Sequence, residues 1–85
     1  MGKTDSQIKG EVCEEWLYKF LEQKCPINIS INEGADRICI TQDGSIEFWE
    51  AKYGKGRLTK KQIDLKETAT NLGIPYYVFR CKVKS

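Results

Sequence analysis

The pair Asp43-Gly44 separates two short runs in which apolar and polar residues alternate, and this pattern strongly constrains the fold. The first run covers residues 36–42 and the second covers residues 45–53. Because an Asp-Gly pair readily adopts the backbone of a tight turn, the two runs are predicted to be adjacent antiparallel strands. The middle of the chain is therefore predicted to be a β-hairpin.

A helix is predicted before the hairpin, over residues 4–24, because six apolar residues recur there at helical spacing. They are Ile8, Val12, Trp16, Leu17, Phe20 and Leu21. The candidate N-caps are Thr4, Asp5 and Ser6. The apolar arc is centred near Val12, Trp16 and Phe20, so these three side chains are predicted to face the core.

A strand is predicted between this helix and the hairpin. Pro26 ends the helical pattern, and Ile27, Ile29 and Ile31 then alternate with polar residues. This alternation is the period of a strand with one buried face. Residues 32–36 supply the turn that leads into the hairpin.

A second helix is predicted to begin near Lys60. Thr59 and Gln62 have the spacing of a capping box, in which each side chain bonds the backbone of the other residue. Leu58 and Ile63 are placed to form a hydrophobic staple around that box. Two independent signals therefore mark the same helix start.

Gly73 is suited to the C-terminal cap of the second helix, and Pro75 prevents its continuation. Residues 76–83 then read as a last strand, which returns through a helical crossover and is predicted to be parallel to its neighbour. Phe48 and Phe79 are predicted to be core residues. The predicted fold is α/β, in the order α-β-β-β-α-β, with a mixed sheet flanked by helices.

The length of 85 residues, 40% of them hydrophobic, predicts a single domain over residues 1–85. A chain this short buries only about 60% of its unfolded surface, so self-association is one route to more buried area. The chain has no apolar run near the roughly 20 residues that span a bilayer, and its N-terminus lacks the apolar core of a signal peptide. We therefore expect no membrane partner and a cytoplasmic location.

The charge is distributed unevenly along the chain. Residues 1–50 carry a net charge of −5, whereas residues 51–85 carry +7. Six cations fall within residues 52–66, which indicates a surface that faces a polyanion such as nucleic acid. A solvated helix face would produce the same clustering, so both interpretations stay open at this point.

The four cysteines are Cys13, Cys25, Cys39 and Cys81, and none of them forms a C-x-x-C pair. Together with the complete lack of histidine, this spacing argues against a structural zinc site. The cysteines are predicted to be reduced thiols, several of them buried as small apolar side chains.

Glu50 and Lys52 lie on the hairpin's second strand, where the alternation puts them on one face, about 7 Å apart. Asp36 would stand opposite Glu50 if the register pairs the strand ends farthest from the turn. Carboxylates brought together repel each other, and a hard divalent cation such as Mg²⁺, or Mn²⁺ in its place, would neutralise them. The plain alternative is that Glu50 and Lys52 form a cross-strand ion pair and Asp36 caps a turn.

Four segments resemble successive motifs of the PD-(D/E)xK nuclease superfamily, and specifically its stand-alone virus-type replication-repair nuclease (VRR-NUC) domains. They are GADRI at 34–38, IEFWEAK at 46–52, GKGRLTKKQ at 54–62 and LGIPYYVF at 72–79. The resemblance covers about residues 8–80 and implies a restriction-endonuclease-like αβββαβ core. It also implies a Mg²⁺-dependent DNA endonuclease, selective for branched DNA such as Holliday (four-way) junctions in DNA repair, that acts as a homodimer without a small-molecule cofactor.

The resemblance also implies the roles of single residues. Asp36 and Glu50 would bind the metal together with the main-chain carbonyl of Ala51, and Lys52 would be the catalytic lysine. Gln62 would lie near the active site, although its capping-box role explains its presence equally well. The departure from the family pattern is Ala35, where the family usually has proline before the aspartate, and this change leaves the carboxylate in place.

The family also tends to place a glutamate of the first helix beside the metal, and Glu11, Glu14 and Glu15 compete for this role. On a helical wheel Glu11 falls almost opposite the apolar arc, while Glu14 and Glu15 lie at its borders. The run EEWLYKFL fits the family pattern best with Glu14 in this role, and Glu11 and Glu15 are the alternatives on the solvated face. Lys55, Arg57, Lys60 and Lys61 are the predicted DNA-binding cations.

Two functions other than junction cleavage are also compatible with the sequence. One is a catalytically silent nucleic-acid-binding module with the same fold, and the other is a nicking or restriction-like nuclease. Tyr53 follows the active-site strand, so it is predicted either to contact a nucleotide or to close the edge of the core.

Overall fold

A computed structural model describes residues 5–31 and 33–82, and the side chains from residue 8 onward. Its elements are α1 (Asp5–Lys24), β1 (Ile27–Ser30), β2 (Arg37–Ile40), β3 (Ile46–Tyr53), α2 (Lys60–Asn71) and β4 (Tyr76–Cys81). The predicted order of elements is therefore confirmed. The candidate cap Thr4 and the end of the predicted last strand at Val83 lie outside the described residues.

The four strands form one mixed sheet in the order β1-β2-β3-β4. The first three strands pair antiparallel, and β4 pairs parallel to β3, as predicted. In the hairpin between β2 and β3, the backbone of Thr41 pairs with that of Ser45, and Gly44 has a φ of 86°. Because this left-handed backbone suits glycine, the Asp-Gly pair is the local reason for the hairpin. The carboxylate of Asp43 accepts hydrogen bonds from the Ser45 N–H and the Thr41 hydroxyl.

The main core lies between α1 and one face of the sheet. Its residues are Leu17, Leu21, Cys25, Cys39 and Trp49, with Ala51 and Phe79 packed against them. The face of β3 that carries Trp49 and Ala51 therefore points toward α1. The opposite face carries Phe48, Glu50 and Lys52, in agreement with the predicted alternation.

The predicted buried arc of α1 is wrong. The fully buried row is Cys13, Leu17 and Leu21, whereas Trp16 is 43% exposed and Phe20 is 45% exposed. The helix is thus turned by about one residue, or about 100°, from the predicted orientation. The predicted orientation placed the aromatic side chains of α1 in the core. In the structure, the row that contains Cys13 packs on the sheet instead.

The prediction of four reduced thiols is also wrong, because the structure has two disulfides. Cys13 pairs with Cys81 and joins α1 to β4, and Cys25 pairs with Cys39 and joins the end of α1 to β2. The Cα atoms of the two pairs lie 5.9 and 5.6 Å apart, within the range that a disulfide spans. Sequence spacing could not reveal this pairing, because it depends on how the helix packs on the sheet. All four cysteines are buried, whereas burial was predicted for several of them.

Helix α2 lies on the other face of the sheet and begins where the capping box predicts. The Gln62 N–H donates to Thr59 Oγ1 over 3.3 Å, and the Thr59 N–H donates to Gln62 Oε1 over 2.8 Å. The helix ends at Asn71, and Gly73 follows with a φ of 77°. In the part of the chain that the structure describes, no helix is long and apolar enough to cross a membrane.

Candidate active site

The register of the hairpin brings Asp36 opposite Glu50. Arg37 and Trp49 are the last pair of the antiparallel ladder between β2 and β3. The next residue on each side of this pair, away from the turn, is Asp36 on one strand and Glu50 on the other. The Asp36 N–H donates to the Trp49 carbonyl over 3.0 Å and fixes this position. The predicted pairing of the two strand ends farthest from the turn is therefore confirmed.

Glu50 is a buried charged side chain, only 3% exposed to solvent. Burial raises the pKa of Glu50 to about 8, and a hydrogen bond with the Asp36 side chain and the negative charge of Asp36 act in the same direction. The charge of Lys52 lowers this pKa, but not enough to offset the other causes. Burial and the contact with Asp36 thus favour the protonated form of Glu50 at neutral pH, with its carboxyl group hydrogen bonded to Asp36.

Two further groups hold this carboxyl pair in place. Gln62 Nε2 donates to Glu50 Oε1 over 2.7 Å, so Gln62 serves the candidate site and the helix cap at the same time. The main-chain N–H of Ala51 donates to Asp36 Oδ2 over 2.7 Å. The backbone of Ala51 thus reaches the site, while a role for its carbonyl as a metal ligand stays a prediction.

Glu14 is the glutamate of α1 that approaches the pair. It lines a small cleft of about 80 Å³ with Ser30, Ile31, Asp36 and Arg37. Partial burial raises the pKa of Glu14, and the charges of Asp36 and Glu11 raise it further. Glu15 instead lies 3.5 Å from Lys19 on the solvated side of the helix. The placement agrees with the choice of Glu14.

Glu14, Asp36 and Glu50 suit a hard cation, because all three offer carboxylate oxygens. Within residues 5–31 and 33–82, however, no group of three or more such side chains is arranged as a ready-made metal site. The carboxyl groups of Asp36 and Glu50 are hydrogen bonded to each other. The donor set fits Mg²⁺ or Mn²⁺ by its chemistry, and binding would require Glu50 to lose its proton.

The basic turn after β3 (residues 54–59) and the first turn of α2 lie beside this site. Lys55, Arg57, Lys60 and Lys61 are all exposed, and Lys61 Nζ lies 3.5 Å from a carboxylate oxygen of Glu33. The predicted DNA-binding cations are thus available at the surface, with Lys61 partly neutralised by an exposed partner.

Arg80 supports the basic turn, a role that the sequence did not reveal. Its guanidinium donates to the carbonyls of Gly54 and Gly56 over 3.1 and 2.7 Å. Arg80 pairs with Lys52 in the parallel ladder between β3 and β4. The hydrogen bonds of Arg80 therefore lie next to the predicted catalytic lysine. This contact could be predicted only from the register between β3 and β4, which the sequence does not show.

Tyr76 is a second residue that the sequence did not single out. Its hydroxyl donates to the Gly34 carbonyl over 2.7 Å, and burial together with the charges of Glu50 and Asp36 raises the pKa of Tyr76. Gly34 has a φ of 80°, and a Cβ there would meet Leu65 Cβ at 2.9 Å. Tyr76 and the close approach of α2 therefore fix the loop that carries Asp36.

Tyr53, which the sequence left between a nucleotide contact and the edge of the core, is partly buried and lies beneath the ammonium of Lys9. The distance from Lys9 Nζ to the ring centroid is 5.2 Å. A cleft of about 800 Å³ lies near the hairpin turn, at the far end of β3 from Glu50. The candidate site is thus a shallow surface at the end of the sheet rather than a deep pocket.

Comparisons with known proteins give no match to a family model, a curated protein or a solved structure.

Proposed function

We propose that this protein is a metal-dependent, structure-selective DNA endonuclease with a restriction-endonuclease-like core. The observation that carries the proposal is the buried contact between Glu50 and Asp36. Glu14, Lys52 and Gln62 lie around that contact, so the acidic, basic and amide groups expected of a phosphodiester hydrolase converge. A buried carboxyl pair is costly for stability, and a functional site is a common reason to retain one.

Glu14, Asp36, Glu50 and the carbonyl of Ala51 would hold Mg²⁺, with Mn²⁺ as a substitute. When bound, such an ion lowers the pKa of a water molecule and offsets negative charge on a phosphoryl oxygen. Lys52 would orient the attacking water or stabilise the charge that develops on the phosphate. Gln62 would keep the Glu50 side chain directed into the site.

The substrate in this proposal is branched DNA, with four-way junctions as the leading example. Lys55, Arg57, Lys60 and Lys61 would bind backbone phosphates beside the cleavage site, which positions DNA without reading its sequence. A homodimer would supply two sites related by a two-fold axis, as symmetric cutting of a junction requires. DNA repair is the process that such an activity would serve.

The direct test is cleavage of labelled linear, nicked and four-way-junction DNA, with Mg²⁺ and with chelator. The Lys52→Ala variant is expected to lose cleavage but keep most of its DNA binding. Lys19→Ala is a matched control, because Lys19 is an exposed lysine on α1 away from the site. Undiminished cleavage by Lys52→Ala would refute the assignment.

The second candidate is a catalytically silent nucleic-acid-binding module. The raised pKa of Glu50 favours it, because a carboxyl group must lose its proton before it can bind a metal ion. Junction binding without metal-dependent products would support this alternative. Cleavage of linear duplex in the same assay would instead indicate a nicking or restriction-like nuclease.

The cytoplasmic location is also a proposal, since DNA is the expected substrate. The two disulfides count against it, because structural disulfides are rare in reducing compartments. Counting free thiols in protein taken directly from cells under acid quench tests the point: oxidised cysteines would contradict a reducing compartment.

A further inference from the structure

One face of the β1-β2-β3 meander is apolar and uncovered. Alternation directs six side chains away from α1, on the side opposite Cys39 and Trp49. They are Ile27, Ile29, Ile38, Ile40, Ile46 and Phe48. We call this set the isoleucine face.

The six residues are neighbours across the sheet. In one row Ile40 pairs with both Ile27 and Ile46, and in the other row Ile38 pairs with both Ile29 and Phe48. Directly opposed side chains in antiparallel strands lie about 5 Å apart, so the two rows make a continuous surface. The face is therefore a single patch.

The isoleucine face is open to solvent in the single chain. Ile27 is 48% exposed, Ile29 46% and Ile46 43%, and the other three side chains are partly exposed. Helix α1 covers the opposite face, and the contacts of α2 with the sheet are mainly with β4. The described chain thus leaves this part of the sheet without a partner.

We propose that a second copy of this chain covers the isoleucine face. A two-fold axis places a patch against itself, so a charged patch would meet its own charge and repel. The isoleucine face contains no charged residue, which suits self-association and does not suit DNA, whose phosphates require cations.

The composition of the surface suits the centre of a dimer interface. A stable interface buries about 800 Å² per partner, around an apolar centre with a polar rim. Six large apolar side chains form such a centre, and the surrounding strand ends and loops supply the rim. The core of the single chain is small, since four of the nine buried apolar residues in the described part of the chain are cysteines. Burial of the isoleucine face would enlarge that core.

This inference rests on the proposed function, because the isoleucine face would be the surface where the two subunits of the proposed nuclease meet. Phe48 belongs to the face, and Glu50 and Lys52 continue the same side of β3. The interface therefore borders the candidate active site. Its test needs neither DNA nor metal, so it can fail while the nuclease assay succeeds, or the reverse.

The first experiment measures molar mass by light scattering across a dilution series. Wild type is expected at twice the 9.8 kDa of the chain, and Ile29→Lys at the mass of a single chain. Ile8→Lys is the matched control, because Ile8 is 47% exposed but lies on α1. A monomeric wild type at all concentrations, or loss of the dimer in Ile8→Lys alone, would overturn the proposal.

The second experiment uses wild-type protein, so it holds even if Ile29→Lys does not fold. Isoleucine methyl signals are recorded by NMR with and without a soluble paramagnetic agent. Ile27 and Ile29 are expected to be protected, whereas Ile8 and the 43% exposed Ile63 are expected to be strongly attenuated. Equal attenuation of all four would show that the face is open, and would exclude the second copy.

Discussion

Gln62 donates a 2.7 Å hydrogen bond to the buried carboxyl of Glu50 while its own carbonyl oxygen accepts from the Thr59 backbone. One side chain therefore joins the first turn of α2 to the candidate site. The position of the site depends on where the helix begins, and two substitutions can separate these two roles.

Gln62→Glu should keep the helix cap but impair the site, because a glutamate at this position of a capping box still accepts from the backbone. It cannot donate to Glu50 when ionised, and its negative charge would raise the pKa of Glu50 further. Thr59→Ala should do the opposite, with a loss of about 1 kcal/mol of unfolding free energy and little change in cleavage. Urea unfolding and junction cleavage measure the two effects. Equal loss of cleavage in both variants would contradict a role beyond capping.

The stability of the metal-free protein should fall as the pH rises between 4.5 and 8, because burial raises the pKa of Glu50 from 4.5 to about 8 in the folded state. In that window the folded chain holds a proton that the unfolded chain has released. The stabilisation is complete below 4.5 and lost above 8. Urea unfolding as a function of pH should show this slope in wild type and a shallower slope in Glu50→Gln. Identical slopes would mean that Glu50 titrates normally.

Metal binding near neutral pH should release a proton, since Glu50 must ionise before it can bind Mg²⁺ or Mn²⁺. Calorimetric titration with Mn²⁺ in buffers of different ionisation enthalpy measures the number of protons released. Wild type is expected to release more protons than Glu50→Gln, which is also expected to bind more weakly. Binding without any dependence on the buffer would place the ion elsewhere.

The local features of this fold could be predicted from sequence, whereas those that depend on packing could not. Gly44 and the Thr59–Gln62 pair act within a few residues, so the hairpin and the start of α2 were predictable. The hairpin then fixed Asp36 opposite Glu50. The buried row of α1 is different, because Leu17 and Trp16 are both apolar and only contact with the sheet decides between them.

The same distinction applies to the candidate site. Glu50, Lys52 and Asp36 follow from strand alternation and hairpin register. Tyr76 and Arg80 reach the site from β4, which is adjacent only after a helical crossover, and their contacts are to backbone carbonyls. Such contacts leave no signature in residue spacing.

Tyr76→Phe should weaken the loop that carries Asp36, because it removes the hydrogen bond to the Gly34 carbonyl. The expected loss of unfolding free energy is about 1 kcal/mol, together with weaker Mn²⁺ binding. Tyr77→Phe is the matched control, since the adjacent Tyr77 is 41% exposed and stacks on Trp49 on the other face. Loss of Mn²⁺ affinity in both variants, or in neither, would contradict a positioning role for the Tyr76 hydroxyl.

Removal of the two disulfides should destabilise the protein unequally. Cys13–Cys81 spans 68 residues of sequence and Cys25–Cys39 spans 14, so chain entropy predicts contributions of about 4 and about 3 kcal/mol respectively. The double substitutions Cys13→Ser/Cys81→Ser and Cys25→Ser/Cys39→Ser remove one bridge each. Urea unfolding in the absence of reductant should rank them in that order, and reductant should lower the stability of wild type below both. Four free thiols in the folded, unreduced protein, or stability unaffected by reductant, would contradict the bridges.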